Sequence, residues 1–282
     1  MAASLGGCGG SKAPSQPVDP VMERQADAGQ AALATEHPEQ AIRQFSDALA
    51  RARERDDAEA IGDLGFDLAV AELRANQPDA ALKTARETEA ELTRRGIAAS
   101  PPLLLAEAIA LYRLGQPRTA DALALRVESG TDPDAAARAA FVRGLIADDA
   151  SDATGLRAAF DRIAHVPGAE HQADATELSA RLALREGDLA RARSQAEQAA
   201  NSRRDLLDYR SLARCLALAA RAAELAGDRA AAADLYLRAG RSAAAQQDEK
   251  SARQWLTRAL SLSSDASLKQ SAQGILTTMG KQ

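Results

Sequence analysis

Aromatic residues are scarce: the 282 residues include four Phe, three Tyr and one Trp. That excludes an interior built on large rings, so any core must rely on small and aliphatic side chains. Cysteine is limited to Cys8 and Cys215, which excludes a disulfide framework. The only histidines are His37, His165 and His171. His37 falls in a turn, and the other two flank the turn Val166-Pro167-Gly168. A pair at that spacing, without a Cys or a third His nearby, is poor metal-ligand geometry. All three are expected as solvated turn residues, and no metal or cofactor is expected. No run of 18 apolar residues occurs, so no transmembrane helix is expected. Val, Ile and Thr are too sparse for a large sheet. The net charge of −5 lacks the basic excess of a general polyanion binder. Arginine-rich stretches such as Arg51–Arg55 and Arg191–Arg193 alternate with acids and lack interleaved aromatics, so no nucleic-acid partner is expected. Gly6-Gly7-Cys8-Gly9-Gly10 lacks the Gly-Lys-Ser/Thr ending of a phosphate loop, and no Gly-x-Ser-x-Gly elbow is present. The acidic clusters Glu87, Glu89, Glu91 and Asp148, Asp149, Asp152 read as solvated helix faces. No enzyme activity is expected.

What is abundant is alanine, 69 residues, and arginine, which outnumbers lysine 30 to 5. With Leu, Glu and Gln these are the strongest helix formers, so the fold class is all-α. Residues 1–20 are dominated by Gly, Ser and Pro and have no periodicity, which reads as a linker or tail. Residues 21–282 read as one helical domain. Helices are expected over 21–35, 38–55, 58–75, 78–95, 101–115, 117–128, 133–148, 152–164, 169–186, 188–201, 204–226, 229–246, 249–262 and 265–279, with Arg203-Arg204 in a turn. Pro101-Pro102 and Asp132-Pro133 mark helix starts. Cys215 lies in an apolar helical run and is expected as a buried structural thiol.

One pattern recurs six times: a small residue, then twelve residues later a stripe spaced four and three apart. The copies are Gly29 with Ala41, Phe45, Ala48; Ala69 with Ala81, Ala85, Thr88; Ala108 with Ala120, Ala124, Val127; Gly144 with Leu156, Phe160, Ile163; Ala180 with Ala192, Ala196, Ala199; and Ala220 with Ala232, Tyr236, Ala239. That spacing is one face of a helix. The small residue lets the two helices of a pair approach closely.

This pattern resembles the tetratricopeptide repeat family over about residues 22–245, with a degenerate form continuing to the end. The anchors are 40, 39, 36, 36 and 40 residues apart, longer than the family's 34. The resemblance implies a right-handed α-α superhelix of about six to seven helix pairs, whose first helices line a concave, partner-binding groove. After residue 245 the phase changes. Residues 229–246 are expected to form one helix serving two neighbours, Trp255 to pack in a terminal layer, and 264–279 to form a solvent-facing cap.

Carried onto this chain, the family's groove positions select Phe66, Leu105, Ile109, Tyr112, Phe141 and Leu145 as an apolar patch. The same positions select Arg74, Arg113, Arg181, Arg185 and Arg221 as basic groups. They imply a protein or peptide partner with an apolar segment and an acidic end. The alternative is that longer helices bury these residues between repeats.

Leu5-Gly6-Gly7-Cys8 resembles a bacterial lipobox, in which Cys8 is the lipidated residue and Gly9–Pro20 the tether. Only seven residues precede Cys8, fewer than a signal peptide contains. The resemblance implies a lipid-anchored periplasmic lipoprotein, on the outer membrane because Gly9 follows the Cys. Its role would lie in envelope assembly or export, such as secretin or pilus biogenesis, outer-membrane assembly or polysaccharide export. The alternative is a soluble cytosolic adaptor or regulator with an incidental Cys8.

Overall fold

The computed structural model describes residues 17 and 19–280, so Cys8 and the lipobox lie outside the described residues. Among the described residues all regular structure is helical. The helices are α1 (Pro20–Ala34), α2 (Pro38–Glu54), α3 (Ala58–Arg74), α4 (Pro78–Arg94), α5 (Pro101–Arg113), α6 (Pro117–Glu128), α7 (Pro133–Asp149), α8 (Ala153–Ile163), α9 (Ala169–Glu186), α10 (Leu189–Asp205), α11 (Tyr209–Leu225), α12 (Arg229–Ala245), α13 (Glu249–Leu262) and α14 (Ala266–Met279).

A single local device ends one helix and starts the next at most junctions. One residue takes the left-handed conformation: a glycine at 96, 115, 187 and 227, but Glu36, Asp56, Asn76, Ser151, Leu207 or Gln247 elsewhere. The following N–H then reaches back to the last turn, as from Asp57 to the Ala52 carbonyl and from Asp228 to the Ala223 carbonyl, both at 3.0 Å. This satisfies an orphan carbonyl. The same residue caps the next helix when it is Asp: Asp57, Asp152, Asp188, Asp208, Asp228 and Asp248 each accept an N–H from the first turn. At His37, Gln77 and Gln116 no side chain caps, and a proline opens the helix instead.

The helices stack as seven pairs. Each packs on its sequence neighbours, and alternate first helices also meet (α3 with α5, α5 with α7, α7 with α9, α9 with α11). This is an all-α superhelix. The six small residues are buried, as is the stripe, apart from the half-buried Phe160. Close approach requires the smallest of them: a Cβ on Gly29 would lie 2.6 Å from the Phe45 ring. Gly65, outside the stripe, plays the same part against Thr88 of α4, whose Oγ1 would lie 2.3 Å away.

Three expectations need correction. Helix α10 runs to Asp205 rather than ending at residue 201, because the left-handed turn falls at Leu207 and Asp208 caps α11. Arg203 is therefore in a helix, not a turn, and is buried. His171 is a buried residue of α9, with Nε2 2.7 Å from Asp134 Oδ1, and not a solvated turn histidine. At the end of the array α12 packs on both α11 and α13, Trp255 is half-buried, and α14 buries only Ala272.

Candidate functional site

The inner face of the superhelix encloses a cavity of about 950 Å³. The last turns of α1, α3 and α5 form one wall, with Leu33, Val70, Leu73, Ile109 and Tyr112; α7 contributes Phe141, Val142 and Leu145. The opposite wall is the start of α11, the turn before it, and the end of α12. Eight arginines line the cavity (Arg74, Arg113, Arg138, Arg204, Arg210, Arg214, Arg238 and Arg241) against three acids, Glu36, Glu39 and Asp208.

The arginines fall into two groups. Arg138 pairs with Glu170 at 2.5 Å, Arg210 with Asp248 at 3.4 Å, Arg214 with Glu177 at 2.6 Å and Arg238 with Asp234 at 3.7 Å. Arg74 and Arg113 instead donate to main-chain carbonyls, Leu33 O at 3.4 Å and Leu73 O at 2.6 Å. Arg204 donates to Asn201 Oδ1 and Arg241 to Ser271 Oγ. Among the described residues these four have no carboxylate partner within ion-pair distance.

Of the residues selected from the sequence, Arg74, Ile109, Tyr112, Arg113, Phe141 and Leu145 line this cavity. The other five do not. Leu105 is buried against the α6–α7 layer, and Phe66 is half-buried between α3 and α5. For these two the side chain packs between repeats. Arg181 is 9% exposed, with its guanidinium engaged by Asp148 Oδ2 at 2.6 Å and Glu177 Oε1 at 2.9 Å. Arg185 is exposed, but donates to the Asp148 carboxylate at 2.5 Å and to its carbonyl. Arg221 is exposed on α11, away from the cavity lining.

Sequence reasoning missed the charged floor of the site. Glu177 of α9 is fully buried and accepts from Arg214 Nε at 2.6 Å, Arg214 Nη2 at 2.8 Å and Arg181 Nη2. Burial alone would raise its pKa, but Arg214, Arg181 and Arg203 together hold the carboxyl far below the ordinary range. Arg203 also bonds Asp174, another buried acid of α9. Burial raises the Asp174 carboxyl despite that contact, whereas Arg203 stays firmly charged because it draws on Asp174, Glu177 and Asp208 at once. Arg203 and Arg214 each lie 5.6 Å from the centroid of the Phe141 ring, so the network grips an aromatic side chain of the cavity wall. Tyr112 donates to Asp149 Oδ2 at 2.6 Å, and burial followed by that acceptor pushes its hydroxyl well above the ordinary phenol value. Cys215 is fully buried, its thiol pushed up by burial and then by Glu177, to which Sγ donates at 3.4 Å. The sequence signal was positional: Glu177 falls at the same groove position in its repeat as Phe66, Leu105 and Phe141 do in theirs, but nothing there marked it as the centre of a buried ion-pair network. Read singly, Asp174 and Glu177 look like surface residues.

No family model and no curated protein matches the chain. Among solved structures, a tetratricopeptide repeat protein from Parabacteroides merdae ATCC 43184 is similar at 16% identity and a TM-score of 0.50, over 92% of this chain and 99% of that one. The TPR2AB domain of yeast Sti1 in its pHSP90 complex aligns over 86% of this chain and 98% of that one, at 14% identity and a TM-score of 0.34. A TPR repeats protein from Bacteroides fragilis NCTC 9343 aligns over 91% and 98%, at 14% identity and a TM-score of 0.31. The fourteen helices of the described residues, stacked in seven pairs, the six-fold small-residue stripe and the Parabacteroides neighbour agree on one fold, a tetratricopeptide-repeat-like solenoid.

Proposed function

We propose that the protein is a non-enzymatic scaffold that binds a protein or peptide segment inside its superhelix. The observation that carries this reading is the cavity on the inner face, where the half-buried Ile109 and Tyr112 and the edges of the largely buried Phe141 and Leu145 lie beside arginines that have no carboxylate partner among the described residues. An apolar wall with a few fixed polar groups is the general form of a ligand site. A segment with apolar side chains and carboxylates matches it in both respects. Titrating short fluorescent peptides of varied apolar and acidic content onto the protein, with Ile109→Glu, at a half-buried lining position, as the blocked control whose helicity is checked by circular dichroism, tests the reading. Binding by the parent and loss in the control is the expected result; no peptide bound by either defeats it.

The finer reading is a lipid-anchored lipoprotein of the periplasmic face of the outer membrane, serving envelope assembly or export. Its support is the Leu5-Gly6-Gly7-Cys8 sequence followed by a Gly/Ser/Pro stretch. The body begins soon afterwards: Asp19 is buried against Arg51 and caps α1. From Cys8 to Pro17 the chain reaches at most roughly 30 Å, so an anchored solenoid would stay close to the membrane surface. Fractionation of cells expressing the native gene beside a Cys8→Ala variant decides it. Membrane-bound parent and soluble or unprocessed variant support the anchor; both soluble in the cytosol favours the adaptor alternative.

A further inference from the structure

The register of the array slips at α12. Gly240 stands twelve residues before a further stripe, Ala252, Leu256 and Ala259, and a Cβ on Gly240 would lie 2.6 Å from Leu256 of α13. So α12, which closes the pair begun by α11, also serves α13 as a first helix. The contacts between alternate helices change step with it: they link α3, α5, α7, α9 and α11 in turn, and then α12 with α14. Helix α14 therefore stands as a first helix, and Gly274 lies 34 residues after Gly240, at the matching place in it. Among the described residues no second helix covers that place. Glycine is a poor helix former, and every other glycine inside these helices has a neighbour against it. A Cβ on Gly29, Gly62, Gly65, Gly144, Gly155 or Gly240 would come within 4 Å of another side chain, whereas one on Gly274 would meet nothing.

Beside Gly274 runs a groove of about 600 Å³, with Ile275, Met279 and Ala244 of α12 as its apolar lining. None of its described lining residues is ionisable, and none belongs to the arginine-bearing cavity. Its residues on α14 match, 34 residues on, positions that are buried in α12: Ser267 for Ala233, Gln270 for Tyr236 and Ser271 for Leu237. Neutral polar side chains in place of apolar ones let this face stand in water when uncovered, which suits a reversible interface better than an obligate one.

We infer that α14 is a docking surface for one helix of a partner protein, a neutral-faced helix carrying the small–large–small stripe of this chain's own second helices. The surface continues the α12–α13 interface, where Leu256, flanked in its stripe by Ala252 and Ala259, fills the space over Gly240. The partner's helix sets its large residue over Gly274 in the same way. The α14 of a second copy supplies no such residue, because its matching face carries Ser267, Ser271, Gly274 and Thr278.

The probe is a fluorescent peptide of this chain's own α13, residues 249–262, held helical by a hydrocarbon link between positions 253 and 257, both exposed in α13. Anisotropy titration onto the full chain is expected to show saturable binding, and hydrogen exchange in α14 to slow when the peptide is bound. Gly274→Leu should weaken the peptide at least about tenfold. That variant folds, since a side chain there meets nothing and leucine favours helix. The linked peptide carrying Leu256→Glu should also bind at least about tenfold more weakly. Failure of the linked peptide to bind overturns the inference, as does equal binding by the parent and Gly274→Leu. Slowed exchange in α5 and α7 in place of α14 would put the peptide in the cavity. Faster exchange in the chain's own α13 would mean that the peptide had replaced that helix. Either result overturns the docking surface. Sedimentation velocity of the chain alone tests the other occupant: self-association that Gly274→Leu abolishes would make a second copy the partner and overturn the assignment. The groove and the cavity share no lining residue, so failure here leaves the proposed function standing.

Discussion

Replacing Glu177 by Gln keeps the side chain's shape and removes its charge. The carboxylate accepts three guanidinium hydrogen bonds between 2.6 and 2.9 Å, two from Arg214 and one from Arg181. Its side chain is 0% exposed, that of Arg181 10% and that of Arg214 29%. Removing one partner of a buried pair leaves uncompensated charge and costs about 3–5 kcal/mol. Arg181 retains Asp148 and Arg214 can reach solvent in part, so the expected loss lies near the lower end, about 3 kcal/mol. With a urea m-value of about 3 kcal/mol/M, the midpoint falls by about 1 M. The pH dependence supplies a second readout. Glu177's folded pKa is depressed below its usual 4.5, so the unfolded chain takes up the proton first as pH falls. Its stabilisation is complete above about pH 4.5 and drains away below it, at about 1.4 kcal/mol per pH unit. Urea melts followed by circular dichroism at pH 7, 4.5 and 3.5 should show a shallower acid loss in the variant than in the parent. A variant within about 1 kcal/mol of the parent at pH 7, with the same acid slope, would refute the view that Glu177 is the ionised centre of the network. A double variant, Glu177→Leu with Arg214→Met, should recover much of the loss, because a packed apolar pair avoids the desolvation penalty.

Gly29→Ala should destabilise by about 1–3 kcal/mol, since its Cβ would meet the Phe45 ring at 2.6 Å and core overpacking costs that much; Phe45→Leu in the same chain should recover part of it in urea melts, and no loss in the single variant contradicts the close approach. Leu207 holds a left-handed φ of 56° in the exposed turn before α11, where a side chain costs about 1–2 kcal/mol. Leu207→Gly should therefore raise the urea midpoint, less the entropy glycine loses on folding. Hydrogen exchange should be fastest in α14, where only Ala272 is buried, and slowest in α7, α9 and α11, which bury ten residues each. Equal protection across the array would contradict stability summed from neighbour contacts.

The fold was legible because its signal is repeated. Six stripes in phase place the second helix of the first six pairs, and the prolines at 38, 78, 101, 117 and 133 mark true helix starts. The α10–α11 junction was misplaced because an apolar residue, Leu207, takes the left-handed conformation there, whereas glycine or a polar residue such as Asp56, Ser151 or Gln247 takes it at the other such turns. The site was legible only in part. Its first-helix face can be carried over from repeat to repeat, which brings out Ile109, Tyr112, Phe141 and Leu145. The opposite wall comes from α10–α12 and exists only because the superhelix curls back on itself. No local pattern reports curvature, so Arg204, Arg210 and Arg214 were not singled out. The Asp174–Glu177–Arg203–Arg214 network was hidden for a related reason: its partners lie 29 and 37 residues apart on three helices.

The excess of arginine over lysine has a physical use in this architecture. The last carbonyls of the first helices accept an N–H from the turn that follows, Leu33 O from Glu36, Leu73 O from Asn76 and Asp148 O from Ser151, and can still accept from a side chain. Arg74 reaches Leu33 O, Arg113 reaches Leu73 O and Arg185 reaches Asp148 O, each from the end of one first helix to the end of the one before. A guanidinium suits this because its planar fork spends one N–H on the carbonyl and keeps others free, and a cation at a helix C-terminus is favoured by the dipole. The carbonyl is neutral, so at Arg74 and Arg113 the charge is held in place without being cancelled. Where the acceptor includes a carboxylate, as at Arg185 with Asp148, the charge is cancelled, and that arginine lies outside the cavity lining. The same bonds that tie each first helix to its predecessor therefore leave the Arg74 and Arg113 guanidinium groups on the cavity lining without a carboxylate partner among the described residues.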